Sequence, residues 1–179
     1  SPLPGRNELV NGAHVCRIPA THFGRSTPLN RIMDFLFFYL FSIIWVLKMP
    51  SERYTHVVVF TDPPLIAIIG YLAKKIKGWK FIYNIQDLYP ETALALGILK
   101  EGLIFRLCNR INKVFLREAD AIVAIGQKMA EHLRNIATAP KRIEVIHNWA
   151  DGRKIFPINK GQNSLVEKLK LRDVYTLIY

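Results

Sequence analysis

FIYNIQDLYPE, Phe81 to Glu91, joins a short apolar run to a loop rich in polar groups. Phe81 to Ile85 predicts a strand that is apolar through its middle and bounded by loop chemistry, as in a parallel sheet covered on both faces. The loop that follows carries Gln86, Asp87, Tyr89 and Glu91. In open parallel sheets, ligands bind beyond the carboxyl ends of the strands, so Asp87 and Glu91 stand where chemistry is expected. Pro90 biases Tyr89 away from helical geometry and sits where it can open the next helix. A carboxylate in this place has two uses: Asp87 either caps that helix or serves the site.

Similar runs alternate with helical patterns on both sides. HVVVFT, His56 to Thr61, predicts a second buried strand that stops at Asp62, Pro63 and Pro64. Those prolines break the strand and open a helix over Leu65 to Ile76, which exits on Lys74, Lys75 and Lys77 with Gly78 as its stop. A short helix is expected over Thr92 to Ile98 and a longer one over Leu103 to Glu118. The longer one carries Arg106, Arg110, Lys113 and Arg117 at helical spacing, a single basic stripe. Ile104, Leu107, Ile111, Val114 and Phe115 fall on another face. Such a stripe is either a solvated face or a docking surface. Asp120 to Ile125 predicts a strand, followed by Gly126, Gln127 and a helix over Lys128 to Asn135. Arg142 to Ile146 predicts another strand, ending in His147, Asn148, Trp149, Ala150 and Asp151. A helix over Ser164 to Leu169 and a strand over Val174 to Tyr179 close the chain. This alternation predicts an α/β fold with a doubly wound parallel sheet.

The amino-terminal part reads differently. Residues 1–12 are turn-rich and predict a surface loop, and His14 to Ile18 predicts a short strand ended by Pro19. A helix begins near Pro28, with Thr27 or Asn30 available as its cap. Phe35 to Leu47, FLFFYLFSIIWVL, holds no charge and is apolar all round, so it is either buried on two sides or in contact with lipid. At about 1.5 Å per residue it is too short for a hydrocarbon core that takes about 20 residues, and it is not expected to span a membrane.

Composition sets the outer bounds. The 179 residues, 50% hydrophobic, are enough for the core of one domain and too few for two complete α/β domains. A net charge of +11 and a pI near 9.8 point to an anionic partner: a phosphate-bearing substrate, an acidic lipid surface or nucleic acid. The aromatics lie mainly in apolar runs and no recognition motif is present, which argues against nucleic acid. Cys16 and Cys108 are far apart and predict buried free thiols in a reducing compartment. The histidines are scattered, so neither a metal nor a bound cofactor is expected. No GxGxxG follows a strand, and neither a Walker lysine motif nor a GxSxG elbow occurs. The opening SPLPGRNELVNG lacks a basic-then-apolar leader and an initiator Met, as expected of a piece cut from a longer protein.

Taken in order, TDPP (residues 61–64), YNIQDLYPETALALGILK (83–100), READAIVAIGQKM (117–129) and KRIEVIHNWAD (141–151) resemble the amino-terminal half of family-4 glycosyltransferases. The nearest group is the bacterial one that builds O-antigen, capsule or colanic-acid-like polysaccharides. The resemblance covers roughly Pro28 to Tyr179. It implies one half of a GT-B fold, in which two Rossmann-like domains face each other across a cleft. On this reading residues 1–150 form the acceptor-side domain. Residues 151–179 are the connection and the start of a donor-binding domain, with Val174 to Tyr179 as its first strand. The implied activity is transfer of a sugar from a nucleotide-sugar donor to a lipid-linked or polysaccharide acceptor, without metal, at the cytoplasmic face of the cell membrane. The implied partners are the nucleotide-sugar, the lipid-linked acceptor and an anionic membrane surface. Asp87 and Glu91 are the implied catalytic carboxylates. Thr61, Asp62, Gln86, Gly126, Gln127, Asn148 and Asp151 would line the acceptor cleft. The family's first strand, its Gly-containing loop and its donor-side glutamate pair have no counterpart here, so this stretch alone is expected to be inactive. The alternative is a non-catalytic membrane-docking or acceptor-binding module that recruits a separate catalytic subunit.

Overall fold

The computed structural model describes residues 7–19, 21, 23, 27–137 and 142–177. In chain order the strands and α-helices are β1 (Asn7–Val10), β2 (Ala13–Cys16), α1 (Pro28–Lys48), β3 (His56–Val59), α2 (Ala67–Lys77), β4 (Lys80–Ile85), α3 (Glu91–Ala95), α4 (Leu103–Glu118), β5 (Ala121–Ala124), α5 (Gln127–Ile136), β6 (Ile143–Val145) and α6 (Ser164–Lys168). Contacts divide the chain into two compact units, Ser1–His147 and Asn148–Tyr179.

In the first unit, β3, β4, β5 and β6 lie side by side in that order, all parallel. This is the α/β, Rossmann-like class that the alternation of strands and helices implies. The register pairs Val59 with Tyr83 and Tyr83 with Ile122, so these residues share one face with Phe81, Ile85 and Ala124. That face is the core: Phe81 and Ala124 are fully buried, and Ile122 and Leu116 nearly so. The other face carries Val58, Ile82, Asn84 and Val123 in the same register, and Val58 and Phe60 are about half exposed (52% and 49%). On the inner strands β4 and β5, Ile82, Asn84 and Val123 of that face are half-buried. The strands follow one another in sequence without reversal. α2 packs against β3 and β4, and α5 against β5 and β6.

α2 lies unusually close to the core face. A Cβ built on Gly70 would stand 2.3 Å from the Phe81 ring and 2.8 Å from Val59 Cγ2, so only hydrogen fits there. One carboxylate fastens the other end of the same layer. Asp120 Oδ1 accepts from Lys74 Nζ (2.9 Å) and Oδ2 from the Phe81 N–H (2.9 Å), while Lys74 also donates to the Glu118 carbonyl (2.7 Å). α2, β4 and the end of α4 are thereby tied at the amino-terminal edge of the sheet. Burial pushes the Asp120 carboxyl up. The Phe81 N–H, the Lys74 ammonium and Lys80 outweigh it and leave the carboxyl below its ordinary value.

The amino-terminal reading needs correction. Asn7–Val10, assigned to a turn-rich loop, is a strand paired antiparallel with β2. Asn11 and Gly12 make the turn with φ of +50° and +83°, the backbone that a two-residue hairpin of Asn-Gly type adopts. α1 also runs longer than its uncharged stretch, because Thr27 caps it by accepting from the Asn30 N–H (3.2 Å). With 21 residues it is long and apolar enough, by length and composition, to cross a membrane, so the length argument against spanning fails. Its place is set by contact. Ser42 and Val46 are buried, Lys77 Nζ donates to the Leu47 carbonyl (2.8 Å), and the Tyr39 hydroxyl donates to the Pro64 carbonyl. The opposite side leaves Leu29, Ile32, Leu36 and Leu40 exposed. Thus α1 is a core helix on one side only. Cys16 and Cys108 are free thiols but half-buried, not buried as expected.

The second unit holds a 3-10 turn at Lys160–Gln162 and α6, capped by Asn163 accepting from the Leu165 N–H (3.0 Å). Val174 to Leu177 form no strand, correcting the expected one. No described segment pairs with them, and an apolar run without a neighbour gains nothing from extended geometry. Residues 178–179 of that expected strand, and residues 1–6 of the expected loop, lie outside the described residues.

The Asp120 tie has a pH signature. A carboxylate held below its unfolded value contributes stability that is complete above about pH 4 and lost as pH falls through the lower folded value. Asp120→Asn is expected to lower stability at neutral pH by about 1–3 kcal/mol and to flatten the acid limb of the stability curve. Urea unfolding from pH 7 down to pH 2 measures both, and an acid limb identical to the parent's would remove this role.

Candidate active site

The strands' carboxyl ends carry the predicted polar loops. Beyond β3, Thr61 is almost fully buried (2% exposed), and its hydroxyl oxygen accepts from both the Gln86 N–H (3.1 Å) and the Asp87 N–H (3.2 Å). One side chain of the β3 loop therefore holds the backbone of the β4 loop. Too deep to touch a ligand, Thr61 supports the site rather than lining it. Asp62 follows on the surface, ahead of a proline turn in which Ile66 N–H donates to the Pro63 carbonyl (3.1 Å). Leu65 in that turn has φ of +63°, a left-handed backbone that costs a branched side chain about 1–2 kcal/mol.

The β4 loop is held from below as well. Asn112 on α4 is buried and donates from Nδ2 to the Tyr89 carbonyl (2.7 Å), while Tyr89 N–H donates to the Asp87 carbonyl (3.2 Å). Asp87 itself is exposed, and no described residue bonds to its carboxylate. It does not cap the next helix: α3 opens at Glu91 with Pro90 in the cap position and no side-chain bond there. Of the two uses left open by the sequence, capping is excluded. Gln86 is half-buried and donates from Nε2 to Asn84 Oδ1 (2.7 Å). Glu91 is half-buried in the first turn of α3.

Electrostatics show which groups converge. The Tyr89 phenol is pushed above its ordinary value by burial, then by the charges of Asp87 and Asp62. Burial also raises Tyr39, followed by Asp62 and then Tyr83. Asp62 thus lies within electrostatic reach of both phenols, and Asp87 within reach of Tyr89. At neutral pH the group offers exposed carboxylate acceptors beside a neutral phenol, a set suited to orienting hydroxyl-bearing ligands.

Gly126 and Gln127 follow β5, whose last residue Ala124 pairs with Ile85 at the end of β4. Gly126 is the residue before α5 and Gln127 its first, exposed residue, and no side chain caps the amino-terminal end of that helix. His147 joins that edge by bonding from Nδ1 to the Ile125 carbonyl (2.8 Å). Asn148 and Asp151 belong to the second unit. There Asp151 shapes a turn, its Oδ1 accepting from the Arg153 N–H (3.1 Å). Sequence reasoning passed over Tyr39 and Asn112. Asn112 did leave a signal, an amide on the arc of α4 that carries Phe115 and Leu116.

A parallel α/β sheet with its polar loops gathered beyond the strands' carboxyl ends defines a Rossmann-like ligand-binding domain. Residues 2–149 match the glycosyl transferase 4-like domain, and the chain belongs to that family. It is also 28% identical over 121 residues to the probable glycosyltransferase WbjE of Pseudomonas aeruginosa, an alignment covering 67% of this chain and 30% of that protein. The matched stretch is therefore less than a third of that relative's length.

Thr61→Val is expected to leave the Gln86 and Asp87 N–H groups without their acceptor, at about 1–3 kcal/mol, and to speed hydrogen exchange at both amides. Thr61→Ser, which keeps the oxygen, should exchange like the parent. Equal exchange in the valine variant would show that the hydroxyl does not hold the loop.

Proposed function

We propose that this chain is the acceptor-side part of a glycosyltransferase that moves a sugar from a nucleotide-sugar to a lipid-linked or polysaccharide acceptor. Its setting would be bacterial surface polysaccharide synthesis at the cytoplasmic face of the membrane. The observation that carries the reading is the pair of exposed carboxylates, Asp62 and Asp87, on loops tied together by Thr61 within a glycosyl transferase 4-like domain.

In the transfer, the bond between the sugar's anomeric carbon and the donor diphosphate breaks, and the leaving oxygen keeps the electron pair. A bond forms from the acceptor oxygen to that carbon. The acceptor's proton leaves either to a carboxylate of this domain or to the departing phosphate. Asp87 serves as hydrogen-bond acceptor for the acceptor hydroxyl, aiming an oxygen lone pair at the reacting carbon, and Asp62 and Tyr89 hold neighbouring hydroxyls. Glu91 has the same chemistry one turn further on. The donor's diphosphate and nucleoside are bound outside this set, which is too acidic for them.

The test uses the protein extended through its donor-binding region, with lipid-linked acceptors extracted from membranes and a panel of nucleotide-sugars. Transfer is expected from the extended protein and not from the 179 residues alone. Asp87→Asn should lower turnover by roughly 10²-fold or more, with a melting temperature close to the parent's. Full activity in that variant would take Asp87 out of the site. Binding of acceptor lipid without transfer by any form would favour the non-catalytic docking module.

A further inference from the structure

We propose that α4 carries the surface by which this domain seats on an anionic lipid bilayer, an assignment that rests on the membrane-acceptor part of the reading above. The helix has two sides of opposite character. Asn112, Phe115 and Leu116 are buried, and Asn112 holds the loop of the candidate site. On the far side Arg106, Arg110, Lys113 and Arg117 are all exposed, and at 3.6 residues per turn they fall within about 60° of arc. Among the described residues no carboxylate pairs with Arg106, Arg110 or Lys113; Arg117 alone has one nearby, Glu118 at 3.6 Å. Directly beside this stripe, at the end of the helix nearer the site, Leu103 and Leu107 are exposed (84% and 55%). Leu96 and Ile98, in the turn after α3, are exposed as well.

Unpaired cations with exposed aliphatics alongside match one kind of partner. A bilayer takes the side chains into its headgroup boundary while acidic lipids meet the charges. Nucleic acid would satisfy the cations but leave the leucines in water, and no aromatic on the stripe offers a stacking platform. The exposed apolar side of α1 is a different surface. Leu29, Ile32, Leu36 and Leu40 share its arc, and Arg31, Asp34 and Lys48 fall off it. Contact through α1 would ignore lipid charge, whereas contact through α4 depends on it. Because Asn112 and the basic stripe sit on one helix, docking by α4 sets the Asp87 loop at a fixed distance from the headgroups.

The experiment is co-sedimentation of the 179-residue chain with phosphatidylcholine vesicles, with and without phosphatidylglycerol, at about 0.1 M and about 1 M salt, where the Debye length falls from about 10 Å to about 3 Å. Binding is expected to acidic vesicles at low salt and to fade at high salt. Each cation near the surface contributes roughly fivefold in partitioning. Arg106→Glu with Arg110→Glu and Lys113→Glu should therefore weaken binding by at least about tenfold. Lys128→Glu with Arg134→Glu and Arg153→Glu, the same charge change elsewhere, should weaken it far less. Circular dichroism checks the fold of each variant, and glutamine in place of glutamate serves if the α4 triple does not fold. Equal loss in both triples would reduce the effect to net charge and overturn the assignment. So would binding that ignores lipid charge and is lost with Leu36→Ser and Leu40→Ser, which places the contact on α1. Failure to bind acidic vesicles, with α4-dependent binding to an RNA duplex instead, would replace the bilayer with nucleic acid. Sugar transfer is not part of the readout, so the fate of the transferase reading is decided separately.

Discussion

The Asp120 carboxylate is the interaction on which the layering of this domain depends. It lies where β5 begins, and its two oxygens reach in different directions, one to the backbone of β4 and one to a lysine of α2. A backbone N–H at a sheet end and an ammonium on a half-buried helix face would each need a partner anyway, and a single charge supplies both. With α2 anchored there, Gly70 can lie against Phe81 without a gap, and the face that bears Tyr83, Ile85 and Ile122 closes under the helices. The site is built at the opposite end of the same strands. Its geometry is inherited from a sheet fixed at its base.

At that end, organisation comes from neutral groups rather than ion pairs. Thr61 and Asn112 hold the β4 loop by its backbone from two sides, which leaves the carboxylates of Asp62 and Asp87 free of protein partners among the described residues. A loop held by its own side chains would use up the groups a ligand needs. Acceptors that are positioned but unbonded have no internal bond to break when a ligand donates to them. It also separates two kinds of residue that sit next to each other in sequence: Thr61 supports, while Asp62 faces outward.

Much of this was legible in the sequence, for physical reasons that differ by element. The strands around Val59, Phe81 and Ile122 announced themselves as apolar runs between turn residues, and Leu103–Glu118 was readable as a helix because its cations recur at helical spacing. The carboxylate at Asp87 could be placed at a strand end, but whether it capped a helix depended on where α3 starts, which local pattern does not fix. The more buried face of β3 could not be told from the other, since Val57, Val58 and Val59 look alike and only packing decides which of them turns inward. The amino-terminal hairpin was missed although Asn11-Gly12 marked it, because the flanking strands are short and mostly exposed and so lack the alternation that flags a strand. The candidate site was half visible. Its carboxylates carry a chemical signature, whereas Tyr39 and Asn112 come from distant segments and join it only through packing.

The half-exposed apolar residues at the outermost strand bear on how this chain behaves as a colloid. Val58 on β3 and Phe60 just beyond it are about half exposed, and among the described residues β3 has no neighbouring strand on its outer edge. Two copies meeting there would gain both backbone pairing and apolar contact. What opposes this at neutral pH is long-range repulsion between molecules that each carry a formal charge of +11. Concentrated salt shortens the reach of that repulsion, and alkaline solution near the pI of about 9.8 abolishes it, while the sticky edge is unchanged by either. The solubility of this chain is thus an electrostatic property laid over an adhesive surface, and its minimum falls where the net charge vanishes.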